Sequence, residues 1–155
     1  MKTAGRITVL GIGNPLCRDD GIGIRIIAEM RGSGKYTEIS IIDGGAAPDF
    51  FSLLDTDCGK LIIVDALRGG GRPGDIYRLK LGEENIADET PASLHGMGIL
   101  DSLKLMKQLC RYPPAVIVIG IEPVDVSHGL RLSPAIESLV PDLIKAVEDE
   151  LCSYH

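Results

Sequence analysis

Short runs of β-branched and other apolar residues alternate along the chain with segments whose apolar positions recur every three or four residues. Ile7-Thr8-Val9-Leu10 opens the series as a strand and ends at Gly11. Ile22, Ile26 and Ile27, with Ala28 and Met30 behind them, predict a helix over 21–30. Ile39-Ser40-Ile41-Ile42 reads as a second strand, closed by Asp43-Gly44-Gly45, and a short helix is expected over 49–54. Leu61-Ile62-Ile63-Val64 is apolar without a break, as in a strand buried on both faces, and is expected to stop at Asp65. The glycine-rich stretch from Arg68 to Gly74 is a loop, and the alternating Ile76-Tyr77-Arg78-Leu79 an edge strand. Ser93 can cap a helix over 94–109, with Leu100, Leu103 and Met106 on one stripe. Val116-Ile117-Val118-Ile119 is another buried strand, followed by Gly120-Ile121-Glu122-Pro123. Ser133-Pro134 stands in cap-then-N1 order at the start of a last helix that runs to about Cys152.

This alternation implies an α/β fold: a single domain over residues 1–155, doubly wound, with a mostly parallel twisted sheet of about five strands and helices on both faces. The length of 155 residues, 45% hydrophobic and 25% charged, is that of one ordinary globular domain. The net charge of −6 argues against a nucleic-acid or anionic-lipid surface. Cys17, Cys58, Cys110 and Cys152 form no CxxC pair, which argues against a zinc ribbon, a thioredoxin-type site or a disulfide scaffold. No stretch approaches the ~20 apolar residues of a membrane span, and the polar opening Met1–Arg6 does not read as a leader. A cytoplasmic protein with reduced thiols and no membrane insertion is expected.

In open α/β sheets ligands bind beyond the carboxyl ends of the strands, so the residues after each apolar run carry the interest. They are lopsidedly acidic: Asp19 and Asp20 after the first strand, Asp43 after the second, Asp65 after the third and Glu122 after the strand at 116–119. Gly11-Ile12-Gly13 is not a dinucleotide fingerprint, because the third glycine position holds Leu16 and the acidic pair would repel a phosphate. One aspartate of the pair, Asp19 or Asp20, can cap the following helix, which leaves the other for chemistry. Asp20, Asp65 and His95 together offer the oxygen and nitrogen donors that a divalent metal takes, with coordination positions left open. They are also the residue types needed for acid–base work on a bound water. His128, in a loop, and His155 are weaker candidates, and no nucleophile motif such as GxSxG is present.

The stretch from Gly11 to Gly23, GIGNPLCRDDGIG, resembles the N-terminal signature of the [NiFe]-hydrogenase maturation proteases. Asp43-Gly44-Gly45, Ile63-Val64-Asp65-Ala66, His95-Gly96 and Gly120-Ile121-Glu122-Pro123 are similar to that family's later signatures, in the same order. The resemblance implies an endopeptidase that removes a C-terminal extension from the hydrogenase large-subunit precursor after nickel insertion. It places metal contacts on Asp20, Asp65 and His95, with the nickel being that of the precursor; zinc or cadmium can substitute for it. Either a metal-polarised water attacks the peptide bond, or a carboxylate, Asp43 or Asp20, activates that water. Gly44 and Gly45 would admit a substrate backbone closely. Two positions differ from the usual pattern: Asp20 stands where glutamate is frequent, and Ala46 where many members have a hydroxyl. Two other readings use the same residues. A nickel-dependent chaperone would bind the precursor without cutting it. A phospho-receiver would use Asp19, Asp20 and Asp65, but lacks a lysine after the last strand and a role for His95.

Overall fold

The computed structural model describes residues 5–46, 49–82 and 99–153. Five strands, β1 (Arg6–Gly11), β2 (Ser40–Asp43), β3 (Cys58–Ala66), β4 (Ile76–Lys80) and β5 (Ala115–Ile121), form one sheet in the order β2-β1-β3-β5-β4. All neighbours are parallel except β4, which runs antiparallel on the edge beside β5. The described helices are α1 (Ile22–Ser33), α2 (Phe50–Leu53), α3 (Ile99–Gln108), α4 (Pro134–Glu137) and α5 (Val140–Cys152).

Alternation along the central strands divides the core in two. Leu10, Leu61, Ile63, Val116 and Val118 meet Leu100, Leu103 and Met106 of α3 on one face. Val9, Ile62, Val64, Ile117 and Ile119 meet Ile26 and Met30 of α1 and Leu143 and Val147 of α5 on the other. Each such side chain, removed from water, contributes roughly 1.5–3 kcal/mol. The doubly wound sheet with helices on both faces is therefore as the sequence implies.

Local boundaries differ in instructive places. The predicted last helix is two helices, because Pro141 has no N–H for the Glu137 carbonyl and α4 stops there. The first helix begins at Ile22, after a 3-10 turn over Arg18–Gly21, and ends three residues later than expected, at Ser33, closed by Gly34 with a φ of 68°. Strand β3 does not stop at Asp65: pairing continues through Asp65↔Gly120 and Ala66↔Ile121. It also starts earlier, at Cys58, and takes in the buried Lys60. The Lys60 ammonium lies 2.8 Å from the Glu150 carboxylate and donates to the Glu150 carbonyl at 2.7 Å, tying α5 to the sheet. Arg78 of β4 also bonds Glu150. Burial pushes the Glu150 carboxyl up, but its bonds to Arg78 and Lys60 outweigh that and hold it below the usual range. On the β2 edge, Arg31 of α1 donates to the Ile41 carbonyl from both Nε and Nη2, at 3.1 and 2.7 Å. Ser93, the expected cap of α3, lies outside the described residues, as do His95, His155 and positions 94–98 of the predicted helix. Among the described residues no helix is long and apolar enough to cross a membrane.

Candidate active site

Strand β1 lies between β2 and β3, and the chain leaving β1 turns to the β2 side while the chain leaving β3 turns to the β5 side. That divergence opens a crevice at the carboxyl ends of the strands, the switch point of a doubly wound sheet. The loops lining it are joined main chain to main chain. Gly44 N–H donates to the Gly11 carbonyl at 2.8 Å, Gly13 N–H to Gly45 at 3.0 Å, and Ile12 N–H to Val64 at 2.9 Å. Gly13 has a φ of 144°, and a Cβ there would run into the Asp20 carbonyl oxygen. Gly23 lets α1 sit directly on the sheet, since a Cβ would strike the carbonyl oxygens of Val64 and Ile12.

The adjacent aspartates of this region have separate tasks, and neither caps a helix. Asp19 is fully buried and gathers the returning loop after β5. Its Oδ2 accepts from the Val124 and Asp125 amides, both at 2.9 Å, and from the Ser133 hydroxyl at 2.8 Å. Its Oδ1 accepts from the Ser133 amide at 2.7 Å. Ser133 correspondingly makes no side-chain cap on α4. Asp20 is half-buried and accepts the Asn14 amide at 2.9 Å on Oδ2. The sequence left open which aspartate was structural; the long-range bonds assign that part to Asp19.

Asp65 is 1% exposed, and among the described residues neither of its carboxylate oxygens has a hydrogen-bond partner. Burial pushes its carboxyl from 3.8 up to about 8, and the charge of Asp20 adds to the rise. The nearby Ala66 amide pulls weakly the other way without forming a well-aligned bond. Asp20 and Asp65 are thus brought together. A buried, unpartnered carboxylate beside a second one is costly unless something positive or protic arrives to satisfy it. The donor set suits a hard or borderline divalent cation. Among the described residues no group of three His, Cys, Asp or Glu side chains is gathered. His95, the third member of the predicted trio, lies outside them.

Asp43 stands apart from the other two. It pairs with Gly11, which in turn pairs with Val64, so alternation directs Asp43 to the face opposite Asp65. It is exposed, and its Oδ1 accepts the Gly45 amide at 2.9 Å. Gly44 and Gly45 have structural reasons of their own. A Cβ on Gly44 would come within 2.9 Å of Leu10 Cδ1, and Gly45 has a φ of 65° with open space where a side chain would go. On the far side of Asp65, Glu122 organises the Arg68–Gly74 loop. Its Oε2 accepts the Gly69 amide at 2.7 Å and the Tyr77 hydroxyl at 3.0 Å. This clamp went unread in the sequence, although the glutamate's place directly after an apolar strand is its signal.

The fold and site define an α/β domain with a carboxylate-lined crevice at its switch point. Comparison with known proteins narrows this. Residues 24–150 match the family described as hydrogenase maturation protease. The chain is similar to the hydrogenase expression/formation protein HupD of Bradyrhizobium diazoefficiens, at 33% identity over 87% of this chain and 72% of the relative. It is also similar to the hydrogenase 2 maturation protease of Escherichia coli, at 28% over 92% and 88%. Among solved structures, the hydrogenase maturating endopeptidase HybD from E. coli superposes with a TM-score of 0.80, 28% identity and coverage of 94% and 91%. The [NiFe] hydrogenase maturation protease HybD from Thermococcus kodakarensis does so with 0.74, 25%, 93% and 97%. The chain belongs to the hydrogenase maturation protease family and is an endopeptidase of hydrogenase maturation.

Proposed function

We propose that this endopeptidase removes the C-terminal extension of a [NiFe]-hydrogenase large-subunit precursor once that precursor carries nickel. The observation that carries the reading is Asp65: a buried carboxylate with no hydrogen-bond partner among the described residues, next to Asp20, at the switch point of the sheet. Asp20 and Asp65, with His95, contact the nickel that arrives with the substrate; zinc or cadmium can stand in for it. Two carboxylates and an imidazole leave coordination positions for the ligands the precursor brings. Gly44 and Gly45 line the approach of the substrate backbone, for which the space beside Gly45 is open. Asp20 or Asp43 takes a proton from the attacking water. The hydroxide adds to the scissile carbonyl, and the proton passes to the departing amine as the C–N bond breaks. Asp43 can serve through Oδ2, since the Gly45 amide occupies only Oδ1. The setting is the cytoplasm.

The test is the intact mass of the host's hydrogenase large subunit in cells with and without this protein. The expected result is a C-terminal extension of fixed mass retained in the deletion, and again in cells carrying only Asp65→Asn. A fully trimmed subunit in the deletion strain would refute the reading.

A further inference from the structure

Next to the crevice, the loops following β1 and β5 are stitched together. Cys17 and Gly129 form a lone parallel bridge; the Gly129 amide donates to Leu16 at 2.8 Å and the Arg18 amide to Gly129 at 3.0 Å. The stitched loops hold three large apolar side chains in solvent: Leu16 is 58% exposed, Val124 50% and Leu130 80%. Between these loops and α1 runs a groove of about 620 Å³, lined by Pro15, Arg18, Ile24, Leu130, Arg131 and Leu132 among others. Single exposed leucines are ordinary on mobile loops. Here the loop after β5 is anchored by the four bonds to Asp19, and Arg18 is fixed in a left-handed conformation, φ 46°. Apolar groups carried on an anchored main chain have less backbone ordering left to lose on binding.

The groove's charge opposes that of the molecule. It carries Arg18, Arg25 and Arg131 against Glu137, on a chain whose net charge is −6. Arg25 is neutralised by Glu29 at 2.9 Å and by Glu137 at 2.6 Å. Arg18 reaches Asp125 only at 3.7 Å, beyond hydrogen-bond length. Arg131 makes no ion pair among the described residues. Two guanidinium groups with donors to spare, flanked by leucines, match a segment that mixes carboxylates with apolar side chains. Arg18 and Gly21 of the groove belong to the same 3-10 turn as Asp20, so a chain seated there passes beside the crevice carboxylates.

We propose that this groove is an exosite that docks an acidic, apolar-flanked segment of the precursor polypeptide, away from the bond being cut. The proposal rests on the endopeptidase reading above. The probe is the host's nickel-loaded large-subunit precursor, purified from cells lacking this protein. Leu130→Asp and Arg131→Glu alter exposed side chains outside the crevice. Each is expected to raise KM for the precursor about tenfold while kcat stays in place, with the Arg131→Glu effect shrinking at about 0.5 M salt. Unchanged KM in both variants, with the wild type cutting normally, would overturn the exosite and leave the endopeptidase reading intact. If the wild type leaves the precursor uncut, the reading of the nickel-loaded precursor as its substrate fails. Docking is then read from binding of the same precursor to immobilised protein. About tenfold weaker binding in the variants supports the exosite; equal binding, or none by the wild type, overturns it.

Discussion

Replacing Asp19 should damage stability more than replacing any other carboxylate at the crevice, and the size of the loss can be worked from its bonds. The side chain is 0% exposed and accepts from three backbone amides and one hydroxyl, all reaching it from the loop after β5. Asp19→Ala strands those donors. A buried donor left unmet costs about 1–3 kcal/mol, and bonds to a charged acceptor lie at the upper end. Val124 and Asp125 are at the surface, where water can take over part of the deficit, whereas Ser133 is buried. About 3–5 kcal/mol is therefore expected for the alanine variant, or a fall in Tm of about 10 °C for a chain of this length. Asp19→Asn keeps an oxygen for the Val124 and Asp125 amides but turns an NH2 group toward the Ser133 N–H, and should cost about 1–3 kcal/mol. With no tryptophan in the chain, urea unfolding followed by circular dichroism is the suitable assay. Both variants within about 1 kcal/mol of the wild type would refute the idea that Asp19 anchors that loop.

Three further outcomes are expected. In metal-free protein, Asp65→Asn should match the wild type near pH 4 and exceed its stability by a few kcal/mol near pH 9, because a carboxyl raised from 3.8 to about 8 destabilises the fold as pH climbs through that range; parallel urea midpoints from pH 4 to 9 would contradict this. Lys60→Met, which leaves the buried Glu150 with Arg78 alone, should cost about 3–5 kcal/mol, and adding Glu150→Leu should recover most of it. The depressed Glu150 carboxyl stabilises above its ordinary value of 4.5 and loses that contribution as pH falls, so the double variant should show a flatter acid limb in thermal melts. Gly23→Ala should cost about 1–3 kcal/mol or fail to fold, since the new methyl meets main-chain oxygens of Val64 and Ile12 that have little freedom to retreat; a wild-type melt would disprove the close packing of α1.

How much of this was written in the sequence depends on the range over which each residue acts. The strand ends were legible because fully buried parallel strands are continuous apolar runs, and the first polar residue after each run falls on the crevice. Gly11 and Asp43 close β1 and β2 as read, and Asp65 was found this way although β3 pairs on through it to Ala66. The division of labour between Asp19 and Asp20 was not legible: it depends on Val124, 105 positions away, and Ser133, 114 positions away, folding back onto one carboxylate. The buried Lys60 was missed for the same reason, its partner Glu150 being 90 residues distant. The break at Pro141 was local and readable, but the helical period on both sides masked it. Asp43 falls between these cases. Its position at a strand end was evident, yet the alternation that turns it away from Asp65 emerges only from the register of β2 on β1 and β1 on β3.

The guanidinium of Arg31 has a consequence for how a polypeptide can reach this enzyme. Many peptide-binding domains take their partner as an extra strand along a free sheet margin, using the main-chain groups exposed there. Here the outward carbonyl of Ile41, midway along the short β2 margin, is already taken by two N–H groups from α1. A segment trying to zip on as a sixth strand would have to displace that arginine and would find only four residues to pair with. Strand addition is thereby discouraged on that side of the sheet, the side nearest the Asp43-Gly44-Gly45 turn.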